Sequence, residues 1–137
     1  MADCVFCSIL AGETPAHFVG RGHGWAAFLD RTPLFHGHVL VVPADHRETL
    51  LDVNEAELLA VMGAAQRIAR AVGEALHCQG TFVAINNKVS QSVAHLHTHV
   101  VPRTKGDGLR GFFWPRTKYD SDEEATEFAG RIAAVMA

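Results

Sequence analysis

The stretch AHLHTHVVPR, residues 94–103, decides the fold because it reads as a β-strand with one specialised face. Histidines occupy positions 95, 97 and 99, and side chains at alternate strand positions point to the same side of a sheet. The three imidazoles are therefore expected to line one face while Leu96 faces a core. The alternative is a row of polar residues on the exposed face of a half-buried strand.

The spacing of the three histidines excludes one metal ion bound by the whole row. On a strand the two outer side chains lie about 13 Å apart, whereas a Zn–N bond is only about 2.0–2.1 Å long. An adjacent pair could still share an ion. We therefore expect divided roles, with one end binding metal and another member acting as a nucleophile or as an acid–base group.

Hydrophobic periodicity predicts the remaining elements. Residues 54–77 form the clearest helix, because apolar side chains recur with a 3.6-residue period and Asn54 with Glu57 has the capping-box pattern. A final helix is predicted after Ser121, with three apolar side chains turned inward: Phe128, Ile132 and Val135. Shorter elements are predicted as a helix at 4–11, a hairpin at 16–29 and strands at 38–43, 81–86 and 95–102. This order predicts an α+β fold, an antiparallel meander with one long central helix and a C-terminal helix.

Composition limits the class of protein. The 137 residues are 48% hydrophobic and 20% charged, which suits one globular domain over residues 1–137. A net charge of −3 gives no general attraction to nucleic acid, and the apolar runs are too short to span a bilayer. The first residues, MADCVFC, lack the pattern of a signal peptide. We expect a cytoplasmic protein with no membrane or nucleic-acid partner and no organic cofactor.

The pair Cys4-x-x-Cys7 indicates a metal or redox site. Two thiolates one helical turn apart can chelate one tetrahedral ion. Three cysteines are an odd number, and without a secretion signal they argue against a structural disulfide. A reduced, buried cysteine pair is the alternative. A thioredoxin-like role is less favoured, because no strand precedes the pair.

Three segments in the same order resemble the histidine triad (HIT) nucleotide hydrolases and transferases. Residues 95–101, HLHTHVV, resemble the family signature His-φ-His-φ-His-φ-φ, in which φ is apolar. CVFCSILAGETPA (4–16) and FLDRTPLFHGHVLVVPADH (28–46) resemble the preceding segments, and INNKVSQSVAHLHTHVVPR (85–103) the catalytic one. Thr98 departs from the pattern because it is polar. Lys88 and Ser90 stand where many relatives have glycine, which leaves the shape of that loop open.

The resemblance implies a mechanism and assigns residues to it. By this match His97 attacks the α-phosphorus of a nucleotide and forms a covalent nucleotidyl-imidazole, and His99 and Ser92 complete the catalytic set. The residues implied to bind the nucleotide are Asp30, Asn86, Gln91, Ser92 and His99. From the residues alone, Asp30 also suits a turn-opening position before Arg-Thr-Pro, and Asn86 suits a plain turn.

The resemblance also supplies the ligands that would complete a zinc site. Several family members bind zinc through the cysteine pair, a histidine after the middle strand and the first triad histidine. Here these residues are Cys4, Cys7, His46 and His95. Four protein ligands leave no open position, so the ion would be structural.

The Cys pair and the short chain are closest to the Hint-like branch of the family, which is associated with nucleoside phosphoramidate hydrolysis. The expected function is release of a nucleoside monophosphate, expected to be AMP, from a phosphoramidate or similar leaving group, by a homodimer acting on a purine nucleotide. Alternatives are a dinucleoside polyphosphate hydrolase and a nucleotide-binding regulatory module with little turnover. A zinc hydrolase with His95 and His97 as ligands is a further alternative.

The segment RTKGDGLRGFFWPRTKY, residues 103–119, is basic and aromatic. Its glycines and proline predict a loop. Such a loop could close over a phosphate and stack on a base, or contact a partner subunit. Packing of its aromatic side chains on the core is an equally supported alternative.

Overall fold

The computed structural model describes residues 3–110 and 116–136. The chain divides into two compact units, Met1–Asp107 and Gly108–Ala137. The expected single HIT domain over residues 1–137 stays a prediction. The first unit contains α1 (Val5–Leu10), β1 (Phe18–Gly22), β2 (Trp25–Leu29), β3 (Val39–Pro43), α2 (Glu55–Leu76), β4 (Gly80–Ile85) and β5 (Thr98–Arg103), and the second contains α3 (Asp122–Ala133).

The five strands form one antiparallel sheet in the order β1-β2-β3-β5-β4, which confirms the α+β class. The first three strands form the predicted meander. The helix α2 connects β3 to β4 and leaves one strand position between them, which β5 fills. The histidine-rich segment therefore leads into a strand that is paired on both sides.

Each face of the sheet packs against a different helix. Val39, Val41 and Val100 share a buried cluster with α2 residues on one face. Leu40 and Val42 share a second cluster with α1 residues on the other face. All five residues of β3 are buried, as expected for a strand covered on both faces.

The long helix begins as the sequence predicts. The Asn54 side chain accepts a hydrogen bond from the Glu57 N–H at 2.8 Å, and the Glu57 carboxylate accepts one from the Asn54 N–H at 3.0 Å. Buried α2 residues include Val61, Ile68 and Val72, while Met62 is 37% exposed. In the part of the chain that the structure describes, no helix is both long and apolar enough to cross a membrane.

The C-terminal helix α3 has the predicted cap, because the Ser121 side chain accepts a hydrogen bond from the Glu124 N–H at 3.1 Å. The prediction that its apolar side chains turn inward is wrong. Phe128 is 42% exposed, Ile132 61% and Val135 83%. Helical periodicity identifies an amphipathic helix, but it does not establish that another element covers the apolar side.

The triad strand begins later than predicted. We expected a strand over 95–102, and β5 spans Thr98–Arg103. The Leu96 N–H donates to the carbonyl of Arg47 at 2.6 Å, so this part of the chain bonds to a loop and not to the sheet. Only His99 of the three histidines lies within the strand itself.

We expect Thr98→Val to raise the free energy of unfolding by about 1 kcal/mol. The Thr98 hydroxyl is fully buried and has no hydrogen-bond partner among the described residues. Burying an unpaired hydroxyl costs roughly 1–3 kcal/mol, which an apolar side chain of similar shape avoids. Urea unfolding measures the change.

Thr49→Val is the matched control for this substitution. Thr49 is also buried, but its hydroxyl donates to Asp52 at 2.9 Å and accepts from the Leu51 N–H at 3.1 Å. This control should lose about 1 kcal/mol. Equal destabilisation by both substitutions would contradict the assignment of an unpaired hydroxyl to Thr98.

Candidate functional site

The three histidines of the triad lie on the face of the sheet that carries α1. The ring of Phe6, from α1, meets the ring of His97 edge-on at 5.2 Å between centroids, and it meets His95 at 5.9 Å. The rings of His97 and His99 are 4.9 Å apart. The rings of His97 and His99 are therefore neighbours, and Phe6 links His97 to His95, although His95 and His97 precede the strand.

The central histidine is held by a backbone carbonyl. His97 Nδ1 lies 2.8 Å from the carbonyl oxygen of His95, and a carbonyl oxygen can only accept a hydrogen bond. The proton of the neutral ring is therefore on Nδ1, and the lone pair is on Nε2. The ring is 4% exposed, so its orientation is fixed by packing as well as by this bond.

His99 contacts a fourth histidine, His38, which immediately precedes β3. His38 Nε2 lies 3.0 Å from His99 Nδ1, and the Leu34 N–H donates to His38 Nδ1 at 3.1 Å. Burial lowers the pKa of His38 and lowers that of His99 to about 4. Both rings are therefore neutral at pH 7.

Sequence analysis did not include His38 among the site residues. Strand alternation could have identified His38, because its side chain is expected on the same face as Leu40 and Val42 of β3. Leu40 pairs with His99 in the register between β3 and β5. A histidine two residues before Leu40 is therefore close to His99.

Asp30 lies in a turn and also approaches the histidine cluster. Its Oδ1 accepts hydrogen bonds from the N–H of Thr32 at 2.9 Å and from the Thr32 hydroxyl at 3.4 Å, as in a turn. Its Oδ2 lies 3.7 Å from His38 Nε2, beside the triad. One carboxylate oxygen thus serves the turn while the other faces the site.

Asn86 directly follows β4 and is exposed. Its side-chain amide donates to the carbonyl of Ser90 at 3.4 Å, within the loop before the triad. The expected contact of Asn86 with a phosphate stays a prediction.

The loop before the triad adopts a left-handed backbone conformation that favours glycine, although the residues in that conformation are not glycines. Lys88 has φ +68° and Ser90 has φ +62°, both in the left-handed region. The side chain of Gln91 holds this loop: its Oε1 accepts from the Lys88 N–H at 2.8 Å, and its Nε2 donates to the carbonyl of Glu48 at 2.6 Å. Both ends of the Gln91 amide are thus used within the protein.

Ser92 is exposed and lines a cavity of about 780 Å³. The same cavity is lined by Cys4 and His46, and neither His97 nor His99 is among its lining residues. The structure therefore groups Ser92 with the metal-ligand candidates, and the expected catalytic role of Ser92 stays a prediction.

The four metal-ligand candidates converge with their ligand atoms within 4.8 Å of one another. His95 Nδ1 lies 3.4 Å from Cys4 Sγ, 3.6 Å from Cys7 Sγ and 3.2 Å from His46 Nδ1. Bonds of about 2.3 Å to sulfur and 2.0–2.1 Å to nitrogen in a tetrahedron imply separations of about 3.6 Å for S–N and 3.3 Å for N–N. The four residues fit a tetrahedral ion such as zinc.

The chemistry of the donors supports the same fit. His95 Nε2 donates to the carbonyl of Pro43 at 3.1 Å, which leaves Nδ1 unprotonated toward the cysteines. Burial lowers the pKa of His95 to about 4, so the ring is neutral. Burial and the neighbouring Cys4 raise the pKa of Cys7, and a bound cation would reverse that effect.

Part of the basic aromatic segment lies outside the described residues, including Phe112, Phe113 and Trp114. Arg103, at its start, forms a salt bridge with Asp107 at 2.7 Å. The expected contact of this segment with a nucleotide or a partner stays a prediction.

We expect Cys7→Ser to lose the bound metal and to lower the melting temperature, because one of four ligands is removed. Cys78→Ser is the matched control, since Cys78 is half-buried and lies outside the cluster. Elemental analysis of the purified variants and thermal unfolding measure both effects. Full zinc content in Cys7→Ser would refute the site.

We expect the free energy of unfolding to fall as the pH drops from about 6.5 to about 4. The pKa of His99 is about 4 in the folded protein and near 6.5 in an unfolded chain, so only the unfolded chain takes up a proton in this window. This residue contributes about 1 kcal/mol per pH unit at most. Urea unfolding at several pH values should give a shallower slope for His99→Asn than for His23→Asn, an exposed control. Identical slopes would contradict the shift.

Comparison with known proteins agrees with this geometry. The HIT domain family matches residues 11–106. An uncharacterized HIT-like protein of Mycobacterium tuberculosis is 40% identical over 131 residues, covering 94% of this chain and 89% of that protein. Adenylylsulfatase HINT3 of Arabidopsis thaliana is 32% identical over 109 residues, covering 78% of this chain and 55% of that protein.

Two solved structures are similar over nearly the whole chain. A HIT family protein of Bacillus subtilis is 31% identical with a TM-score of 0.89, covering 98% of both chains. A Zn-bound histidine triad family protein of Mycobacterium smegmatis is 35% identical with a TM-score of 0.76, covering 98% of this chain and 96% of that chain. The sequence signature, the family match and these relatives agree: the chain belongs to the histidine triad family.

Proposed function

We propose that the protein releases a nucleoside monophosphate, with AMP preferred, from a phosphoramidate or a similar leaving group through a nucleotidyl group on His97. Membership of the family supports a nucleotide hydrolase or transferase. The observation that carries the proposal is the hydrogen bond from His97 Nδ1 to the His95 carbonyl at 2.8 Å. It leaves the Nε2 lone pair available for attack.

The reaction consists of two displacements at one phosphorus atom. His97 Nε2 forms a bond to the α-phosphorus while the bond from phosphorus to the leaving nitrogen breaks, and that nitrogen takes a proton from solvent as it departs. Water then attacks the same phosphorus, and the bond to Nε2 breaks. The monophosphate leaves, the proton of the attacking water goes to solvent, and the neutral imidazole is restored.

The neighbouring side chains suit supporting roles. His99 would contact the phosphate oxygens, Asp30 the ribose hydroxyls and Asn86 the phosphate. Ser92 would supply a hydroxyl near the leaving group. Gln91 holds the loop through two backbone bonds, so its contribution to nucleotide binding would be indirect.

A zinc ion bound by Cys4, Cys7, His46 and His95 would be structural, because four protein ligands leave no open coordination position. Two contacts connect this metal site to His97. His95 provides the carbonyl that holds His97, and Phe6, between the two cysteines, packs on the His97 ring. Metal binding would therefore stabilise the orientation of the nucleophile.

The relative named adenylylsulfatase favours adenylyl sulfate as a second substrate. As leaving groups, sulfate and an amine differ. Sulfate departs as an anion, whereas the amine nitrogen must gain a proton. Parallel assays with adenosine 5′-phosphoramidate, adenylyl sulfate and a diadenosine polyphosphate therefore separate the branches of the family. Nucleotide binding without release of product from any of the three would favour a regulatory module.

We expect wild-type protein quenched during turnover of adenosine 5′-phosphoramidate to carry one adenylyl group on His97. His97→Asn should retain an N–H for the His95 carbonyl, bind AMP and carry no adduct, because no nucleophilic nitrogen remains. Peptide mass spectrometry locates the group, and His23→Asn is the matched control at an exposed turn histidine. An adduct on His97→Asn would overturn the assignment.

The expected homodimer remains a proposal from the resemblance, as does the cytoplasmic location. Exposed apolar side chains on α2, such as Leu59 at 74% and Met62 at 37%, are compatible with an interface. Light scattering after size-exclusion chromatography measures the molar mass.

A further inference from the structure

Cys4 and Cys7 lie close enough to react with each other as well as to share a metal ion. Both are free thiols, and their sulfur atoms lie within 4.8 Å of one another. Cys4 caps the start of α1, where its Sγ accepts a hydrogen bond from the Cys7 N–H at 3.3 Å. Cysteines with this spacing at the start of a helix form reversible disulfides in redox proteins.

A disulfide between these cysteines and a tetrahedral metal ion exclude each other. Two sulfurs that bind one zinc ion at about 2.3 Å lie about 3.8 Å apart, whereas a disulfide holds them about 2.05 Å apart. A disulfide sulfur is also uncharged, and metals bind the thiolate. Oxidation would therefore leave His46 and His95 as the only members of the cluster able to bind the ion. Two ligands are too few for a structural site.

The cavity of about 780 Å³ that Ser92 lines gives small molecules access to one of the two sulfurs. Cys4 lines this cavity, and Cys7 is not among the described residues around it. Cys4 is otherwise buried. A reagent that enters the cavity therefore meets Cys4 first.

The charges around this cavity favour an uncharged oxidant. Three carboxylates line it, those of Asp3, Glu48 and Asp52, together with the guanidinium of Arg47. Arg47 also pairs with Glu57 at 2.9 Å, which offsets part of its charge. A neutral hydroperoxide can enter such a cavity, whereas an anionic disulfide such as glutathione disulfide is repelled.

Phe6 connects the state of the cysteine pair to the triad. It lies between Cys4 and Cys7 in the sequence, so a disulfide would enclose its backbone in a short covalent loop. Its buried ring meets the His97 ring edge-on, with 5.2 Å between centroids, and meets Phe28 at 5.3 Å. Closing the loop therefore changes the packing against His97 in addition to removing the metal site.

We propose that Cys4 and Cys7 are a site of reversible oxidation, at which a hydroperoxide converts them to a disulfide, displaces the metal and slows transfer to His97. The effect on transfer rests on the proposed function. The oxidation of the cysteine pair does not depend on it.

The oxidation balances with hydrogen peroxide as the oxidant and the two thiolates as the reductants. The Cys4 thiolate attacks a peroxide oxygen, the O–O bond breaks, and the departing hydroxide takes a proton from solvent. The Cys7 thiolate then attacks the sulfur of the resulting sulfenic acid, the S–O bond breaks, and a second hydroxide takes a proton. The products are the disulfide and two molecules of water.

Treatment of the zinc-loaded wild-type protein with hydrogen peroxide tests the oxidation without substrate. A chromophoric chelator should record release of the bound zinc, and peptide mass spectrometry without reductant should find Cys4 linked to Cys7. Dithiothreitol with added zinc should reverse both changes. Cys78→Ser should respond as the wild type does, because Cys78 lies outside the cluster.

Parallel reactions with glutathione disulfide identify the class of oxidant. At equal concentration it should oxidise the pair more slowly than hydrogen peroxide does. Glu48→Gln removes one carboxylate from the cavity and should speed only the reaction with glutathione disulfide, by about threefold at low ionic strength. Glu13→Gln, at an exposed acid that is not among the lining residues, is the matched control.

Single-turnover kinetics test the connection to the nucleophile candidate. The oxidised protein should adenylylate His97 about tenfold to a hundredfold more slowly than the reduced, zinc-loaded protein, as expected for a small misplacement of a reacting group. Reduction with added zinc should restore the rate. Phe6→Leu removes the aromatic contact with His97 and should narrow the difference between the two forms.

The outcomes separate the parts of the proposal. Zinc that stays bound in the presence of peroxide, or a sulfinic acid in place of the disulfide, would overturn the site of oxidation. A faster wild-type reaction with glutathione disulfide would overturn the choice of a neutral oxidant. A disulfide with an unchanged rate of transfer would overturn the connection to His97. Absence of any adduct on His97 in the reduced protein would refute the proposed function and leave the oxidation standing.

Discussion

The pairing of β5 with both β3 and β4 is the constraint on which the rest of the structure depends. It buries the strand on both edges, so the side chains that precede and begin it cannot shift in register without exposing the core. The same pairing places Leu40 on one side of His99 and Ala84 on the other. Residues separated by up to sixty positions in sequence meet because three strands share one register.

Three histidines of this site, His38, His95 and His97, obtain different chemistry from the backbone groups that face them. His95 and His97 each donate to a carbonyl oxygen, one to Pro43 and the other to residue 95 itself. His38 accepts from an N–H. A neutral imidazole has one donor and one acceptor, so the polarity of a single backbone group decides which nitrogen is free. The direction of the local backbone therefore determines the chemistry of the candidate site.

Sequence patterns predicted the elements well where the cause is local. The α2 helix begins at its capping box, and the strands follow their β-branched runs because those patterns depend on neighbours in sequence. The start of β5 was misplaced because the Leu96 N–H bonds to Arg47, a residue forty-nine positions away. The inward face predicted for α3 failed because periodicity does not identify a covering partner.

The candidate site was predicted mainly through resemblance. Spacing alone separated the roles of the three histidines, but it did not bring Cys4 and Cys7 together with His46 and His95. It also left open the loop at Lys88 and Ser90, whose left-handed backbone appears only in coordinates. The contribution of His38 was missed because a single histidine at the start of a strand is unremarkable until its partner across the sheet is known.

Phe6 has a consequence for how such a protein can change during evolution. Its ring touches His97, His95 and Phe28, each of which belongs to a different functional or packing requirement. A substitution at this position would therefore change the packing of the nucleophile candidate, of a metal-ligand candidate and of the core together. Lineages that discard the cysteine pair should show linked replacements at positions 6 and 28, so that a new shape of the N-terminal helix still supports the same imidazole.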